Sequence, residues 1–205
     1  GGKYLVAASL AYSKNIPTLH LYFQVGIEKL QETWSKLGFI EELNQEPSVI
    51  LGTNSVSMLE LAIAYSSFAN LGYLVEPYSI ESIASSDGII IFQREKRKKE
   101  RVLEEETCLA VNEALSMAIR EGTGTALPYR YGVRSAWAGK TGTSQDYADA
   151  WFVGYNKEIV LVSRVGAAYP SIHFSNGAYG SGSALALPII GECLRNSRNQ
   201  KWINA

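Results

Sequence analysis

A chain of 205 residues with 46% hydrophobic side chains is long and apolar enough to pack a core, which excludes disorder as its dominant state. Nineteen basic and twenty acidic side chains nearly cancel, to a formal charge of -1, so no global electrostatic pull toward nucleic acid or an anionic membrane exists. Cys108 and Cys193 lack CxxC spacing and His20 and His173 stand alone, which excludes a disulfide framework and gives no metal-ligand pattern; no metal or cofactor is expected.

The first residues, GGKYLVAASLAYSKN, lack the basic start and cleavage site of a signal peptide, and no stretch approaches the roughly 20 apolar residues of a membrane span. Apolar residues at three and four spacing predict helices over Tyr4 to Tyr12 and Ile27 to Leu37, the second stopped at Gly38. Between them, Ser13-Lys14-Asn15-Ile16-Pro17 reads as a loop or short connector, because a proline biases the residue before it away from helical geometry. Ser57-Met58-Leu59-Glu60 has the form of a capping box and opens a helix that Asn70-Leu71-Gly72 stops. Leu74 to Ile83 and Ile89 to Phe92 are β-rich and predict a hairpin or two short strands turning at Asp87-Gly88.

The run Arg94-Glu95-Lys96-Arg97-Lys98-Lys99-Glu100-Arg101 is interrupted by acids and carries no aromatics, so it reads as a solvated connector and not as a nucleic-acid or lipid site. A helix over Thr107 to Arg120 leads into Gly122-Thr123-Gly124-Thr125, a loop without the lysine and spacing of a phosphate cradle. Three strands then follow, Ser135 to Ser144, Asp149 to Tyr155 and Glu158 to Val165, the last two joined by a turn at Asn156-Lys157. Such short connections predict an antiparallel meander. Ser183 to Leu194 reads as a closing helix with Pro188 near its first turn. The class expected is a layered α/β (α+β) fold, an antiparallel β-sheet covered by helices.

Lys140-Thr141-Gly142-Thr143 interrupts what is otherwise a buried strand. Strand alternation sends Lys140 and Gly142 to one face and Thr141 and Thr143 to the other. On a sheet edge, that pattern offers a cation, a position without a side chain, hydroxyls, and free backbone groups for an extended peptide. The plainer reading makes Lys140 an edge guard and Gly142 a bulge.

K-T-G belongs, with S-x-x-K and a second serine motif, to the motif set of class A β-lactamases and penicillin-binding proteins. The segments SLAYSKNIPTLHL, ILGTNSVSMLELAIAYSSFANLGYLVEP, REGTGTAL and AGKTGTSQDYADAWFVGY, in that order, resemble the transpeptidase domain of class A, bifunctional-type penicillin-binding proteins over nearly the whole chain. On that resemblance Ser13-Lys14-Asn15 matches the S-x-N motif and Lys140-Thr141-Gly142-Thr143 the K-T-G-T strand. The implied activity is peptidoglycan D,D-transpeptidation by a serine nucleophile, with stem peptides and β-lactams as partners, no nucleic acid and no cofactor. Ser13 would relay a proton to the leaving amine, and Asn15 would hold the substrate amide and orient the lysine of the first motif. Lys140 would supply positive potential, Thr141 and Thr143 would bind the substrate carboxylate, the Thr143 N–H would serve an oxyanion hole, and Gly142 would leave room for the acyl chain.

One part of the family pattern is missing: no serine stands three residues before any lysine, so this chain holds no S-x-x-K nucleophile. Two explanations stand. In the first, residues 1–205 are the C-terminal portion of such a domain, with residues 1–134 mainly helical and carrying S-x-N, and 135–205 carrying the K-T-G strand, the meander and the closing helix. The nucleophile helix and first strands then lie ahead of Gly1, with an N-terminal membrane anchor further upstream that places the domain at the extracytoplasmic face. In the second, the site is degenerate and binds a peptide or β-lactam without catalysis. A D,D-carboxypeptidase or serine β-lactamase shares the motifs with water as acceptor.

Overall fold

Three short helices open the computed structural model, which describes residues 5–95, 99–133, 136–169 and 171–197. Helix α1 (Val6–Ala11) and helix α2 (Asn15–Val25) flank a connector of three residues, 12–14, and α3 (Ile27–Lys36) follows Gly26 directly. The expected connector through Pro17 is therefore shorter than its sequence suggests. Pro17 sits in the first turn of α2, where a missing N–H costs no intrahelical bond. Ser13 absorbs the bend with φ of 51°.

Helix α4 (Met58–Ala69) starts on the expected capping box: the Glu60 N–H donates to Ser57 Oγ at 3.1 Å, and the Ser57 N–H donates to the Glu60 carboxylate at 2.8 Å. Next come β1 (Tyr73–Leu74), β2 (Ser82–Ala84), β3 (Ile90–Gln93) and β4 (Glu100–Arg101). β2 and β3 form the expected hairpin, with Gly88 at φ of 86° in its turn. The strand expected from Leu74 to Ile83 pairs only at its two ends, since Pro77 in its middle has no N–H to give a ladder. The basic run ends as β4, paired with β1, and its residues 96–98 lie outside the described residues.

Helix α5 (Glu105–Arg120) precedes α6 (Ala126–Tyr131), a short helix that its proline hid from a sequence reading. Strands β5 (Ala138–Thr143), β6 (Asp149–Tyr155) and β7 (Val160–Gly166) form the expected antiparallel meander, in the order β5-β6-β7; the expected start at Ser135 lies outside the described residues. A four-residue helix, α7 (Gly177–Gly180), and α8 (Ala186–Asn196) are the last elements among the described residues.

The three-stranded sheet is sandwiched. On one face, Ala150 and Phe152 of β6 pack against Leu127 and Tyr131 of α6 and Leu187, Ile190 and Leu194 of α8. On the other, Ala138 and Tyr155 pack against Leu115 of α5, with Tyr65 and Phe68 of α4 around them. Tyr155 also donates its hydroxyl proton to Asn112 Oδ1 at 2.7 Å, and Asn112 donates to the Phe68 carbonyl at 3.0 Å, which ties β6, α5 and α4 together in the interior.

Phe152 is fully buried at the centre of the first layer. Phe152→Ala is expected to cost about 3–5 kcal/mol of unfolding free energy, read from the urea midpoint, because the surrounding side chains close only part of the cavity.

Candidate active site

Strand β5 is paired on one side only among the described residues, so its other edge is open. Which backbone groups face that edge follows from register. Lys140 lies opposite Val153, Thr141 opposite Phe152 and Thr143 opposite Ala150, and the Ser144 N–H donates to the Asp149 carbonyl at 2.9 Å. Antiparallel ladders alternate bonded and non-bonded pairs, so Thr141 and Thr143 occupy non-bonded positions. Their N–H and C=O groups therefore point away from β6, toward the open edge.

The side chains obey the expected alternation. Lys140 leaves the strand on the α4/α5 face and reaches the connector between α1 and α2, where its Nζ donates to Ser13 Oγ; a second Nζ hydrogen goes to the Thr141 carbonyl at 2.8 Å. Burial pushes the Lys140 ammonium down from its ordinary 10.5 to about 8, because the charged form loses water. Asn15, the first residue of α2, stands exposed two positions beyond Ser13. The structure thus brings Ser13 and Lys140, 127 residues apart, into direct contact.

Thr141 and Thr143 leave the strand on the α6/α8 face, where each hydroxyl has a partner the sequence reading missed. Thr141 Oγ1 lies 2.6 Å from Thr123 Oγ1, and the Gly182 N–H donates to Thr143 Oγ1 at 3.0 Å. Gly182 lies so close over the strand that a Cβ there would come within 2.4 Å of the Gly142 carbonyl oxygen. Gly142 itself lies opposite Trp151. Thr123 stood within the quoted run REGTGTAL, but nothing in its spacing from Lys140 reports that the two segments meet.

Solved proteins share this fold. Penicillin-binding protein 1A from Haemophilus influenzae superposes with a TM-score of 0.87 at 24% identity, over 96% of this chain and 34% of that one. Penicillin-binding protein A from M. tuberculosis, as its penicillin G acyl-enzyme complex, gives 0.76 at 18% identity over 98% and 50%. The fold is that of the penicillin-binding transpeptidases. Residues 3–165 match the penicillin binding protein transpeptidase domain, and penicillin-binding protein 1A of Aquifex aeolicus (strain VF5) is 35% identical over 188 residues, 92% of this chain and 25% of that protein. The chain belongs to the penicillin-binding protein transpeptidase family, and spans about a quarter of the length of the curated relatives it matches.

The depressed Lys140 pKa fixes the sign of a pH effect on stability. The unfolded chain keeps the Lys140 proton up to 10.5, whereas the folded chain releases it at about 8. Between these values the unfolded state binds more protons, so this site's contribution to stability is unfavourable below about 8 and rises with pH toward 10.5. Removing the ammonium in Lys140→Met isolates that contribution from the other titrating groups. The unfolding free energy of wild type minus that of K140M, followed by urea titration, is expected to climb across this window, and a flat difference refutes the assignment.

Proposed function

We propose that this chain is the S-x-N and K-T-G part of a peptidoglycan D,D-transpeptidase, a serine acyltransferase that cross-links cell-wall stem peptides and is acylated by β-lactams. The observation that carries it is the Lys140 ammonium on the Ser13 hydroxyl, beside a strand whose Thr141 and Thr143 backbone groups face an open edge.

The chemistry follows from those positions. The stem peptide lies antiparallel along β5 and exchanges hydrogen bonds with the open edge, as extended peptides do at unpaired strands. A serine of an S-x-x-K segment, which these 205 residues do not contain, attacks the penultimate D-alanine carbonyl. Its oxygen becomes the acyl ester, the carbonyl oxygen takes negative charge against the Thr143 N–H, and the C–N bond to the terminal D-alanine breaks. The attacking serine gives its proton to the lysine of its own segment, Ser13 passes a proton to the departing amine, and the relay that includes Lys140, whose pKa near 8 lets it exchange protons close to neutrality, returns the serine's proton to Ser13. Asn15 holds the substrate amide, and the hydroxyls of Thr141 and Thr143 bind the terminal carboxylate. An amine of a neighbouring stem then takes the acyl group and frees the serine.

Among the described residues no helix is long and apolar enough to cross a membrane. In this reading the parent protein supplies the anchor, and the domain works at the extracytoplasmic face, where its substrate lies.

Intact-mass spectrometry tests the assignment directly. The parent protein is expected to gain a single covalent penicillin adduct, whereas residues 1–205 alone gain none. Lys140→Ala should slow acylation about 100-fold or more, the scale of a lost proton-transfer group. With stem peptide as substrate, a cross-linked dimer marks transpeptidation, and free D-alanine alone would mark a carboxypeptidase. An unreactive parent protein that binds stem peptide reversibly would overturn the catalytic reading.

A further inference from the structure

We infer that Thr123 is a positioning residue of this site: its hydroxyl sets the direction of the Thr141 hydroxyl, so that Thr141 donates to a substrate carboxylate. The inference rests on the transpeptidase reading and adds a residue that the S-x-N and K-T-G motifs do not include.

Geometry places Thr123 between the two motifs. It lies on the turn that links α5 to α6, and its backbone N–H donates to the carbonyl of Ala11 at 3.3 Å, two residues before Ser13. Its side chain meets Thr141 Oγ1 at 2.6 Å, one residue after Lys140. Gly122 lets the turn come this near, since a Cβ there would stand 2.2 Å from the Ala11 carbonyl oxygen. One residue therefore holds the end of α1 by its backbone and the K-T-G strand by its side chain.

Hydroxyl chemistry supplies the rest. A hydroxyl carries one proton to donate, while a carboxylate only accepts. If Thr141 spent its proton on Thr123, it would turn lone pairs toward an arriving carboxylate and repel it. With Thr123 donating to Thr141, the Thr141 proton is left for the anion, and the chained bonds polarise in the same sense. The neighbouring position shows the same arrangement without ambiguity. Thr143 Oγ1 accepts from the Gly182 N–H, which cannot act in reverse, so the Thr143 proton is also left to donate. Both hydroxyls of the strand thus have a donor behind them. Thr141 is nearly buried, so it has little water to fill that place when its partner is removed.

The test is made on the parent protein with one β-lactam in two forms, the free acid and its methyl ester. Thr123→Val removes the hydroxyl but keeps the shape and the N–H bond to Ala11. The second-order acylation rate with the free acid is expected to fall about 10-fold, the scale of a charge-assisted hydrogen bond. The rate with the ester should change less than about twofold, and Thr123→Ser should restore discrimination because it keeps the hydroxyl. Should T123V not fold, as judged by circular dichroism, Thr123→Ala serves the same comparison. Equal losses for acid and ester mean that Thr123 is a structural tie and overturn the inference; no loss for either does the same. Failure of the unsubstituted protein to form any adduct overturns the transpeptidase reading itself, and this role with it, and is seen before any variant is made.

Discussion

The contact between the Lys140 ammonium and the Ser13 hydroxyl is the constraint around which the other parts are arranged. A cation taken largely out of water is costly unless a hydrogen-bond partner is held in place for it. Here the partners lie 127 residues apart, on a bend between two helices and on the edge strand of a sheet, and the elements that carry them are packed together through Leu10 and Ala138. Ser13 sits at positive φ, a conformation that non-glycine residues adopt at some cost, and the bend it makes aims its hydroxyl at the strand. The lysine in turn sits low enough in pKa to gain and lose its proton near neutral pH. A more exposed lysine would stay charged there.

Long helix α5 is what makes this meeting possible. It packs beside α1, α4 and β5, and its buried residues enter both layers: Leu115 belongs to the cluster with Tyr155, and Ile119 to the cluster with Phe152. Its last turn passes the edge of the sheet, so the loop that follows emerges next to Thr141. The open edge of β5 is therefore flanked by elements anchored in the core. Open edges invite aggregation in most proteins. This one carries a lysine, a standard guard, and the same cation serves the proposed chemistry.

Much of the fold was legible because its signals are local. The Ser57–Glu60 capping box, the Asp87-Gly88 turn and the strand from Asp149 to Tyr155 each depend on residues a few positions apart, and each appears where the sequence places it. Errors fell where one residue type can serve two ends. Pro17 and Pro128 look like helix breakers, yet both stand in the first turn of a helix, where proline is tolerated. The short pairing of β1 with β4 joins segments about 27 residues apart, through a basic stretch with no strand pattern, and no periodicity could announce it.

For the site, the sequence carried the residue types and their faces but not their partners. Alternation put Lys140 on one face and Thr141 and Thr143 on the other, and the hydrogen bonds follow that division. Thr123 and Gly182 were invisible because their contribution is a distance, set by turns outside the motifs. That division also explains why a strand suits this chemistry. In the proposed reaction one face holds the cation and the hydroxyl that move protons, the other holds two hydroxyls partnered by Thr123 and Gly182, and the backbone edge runs between. On that proposal, a peptide laid along the edge would present its scissile carbonyl to one set and its terminal carboxylate to the other, with no side chain needing to cross the strand. The same residues spread along a helix would turn by about 100° per position and could not keep the two sets on opposite sides of one line.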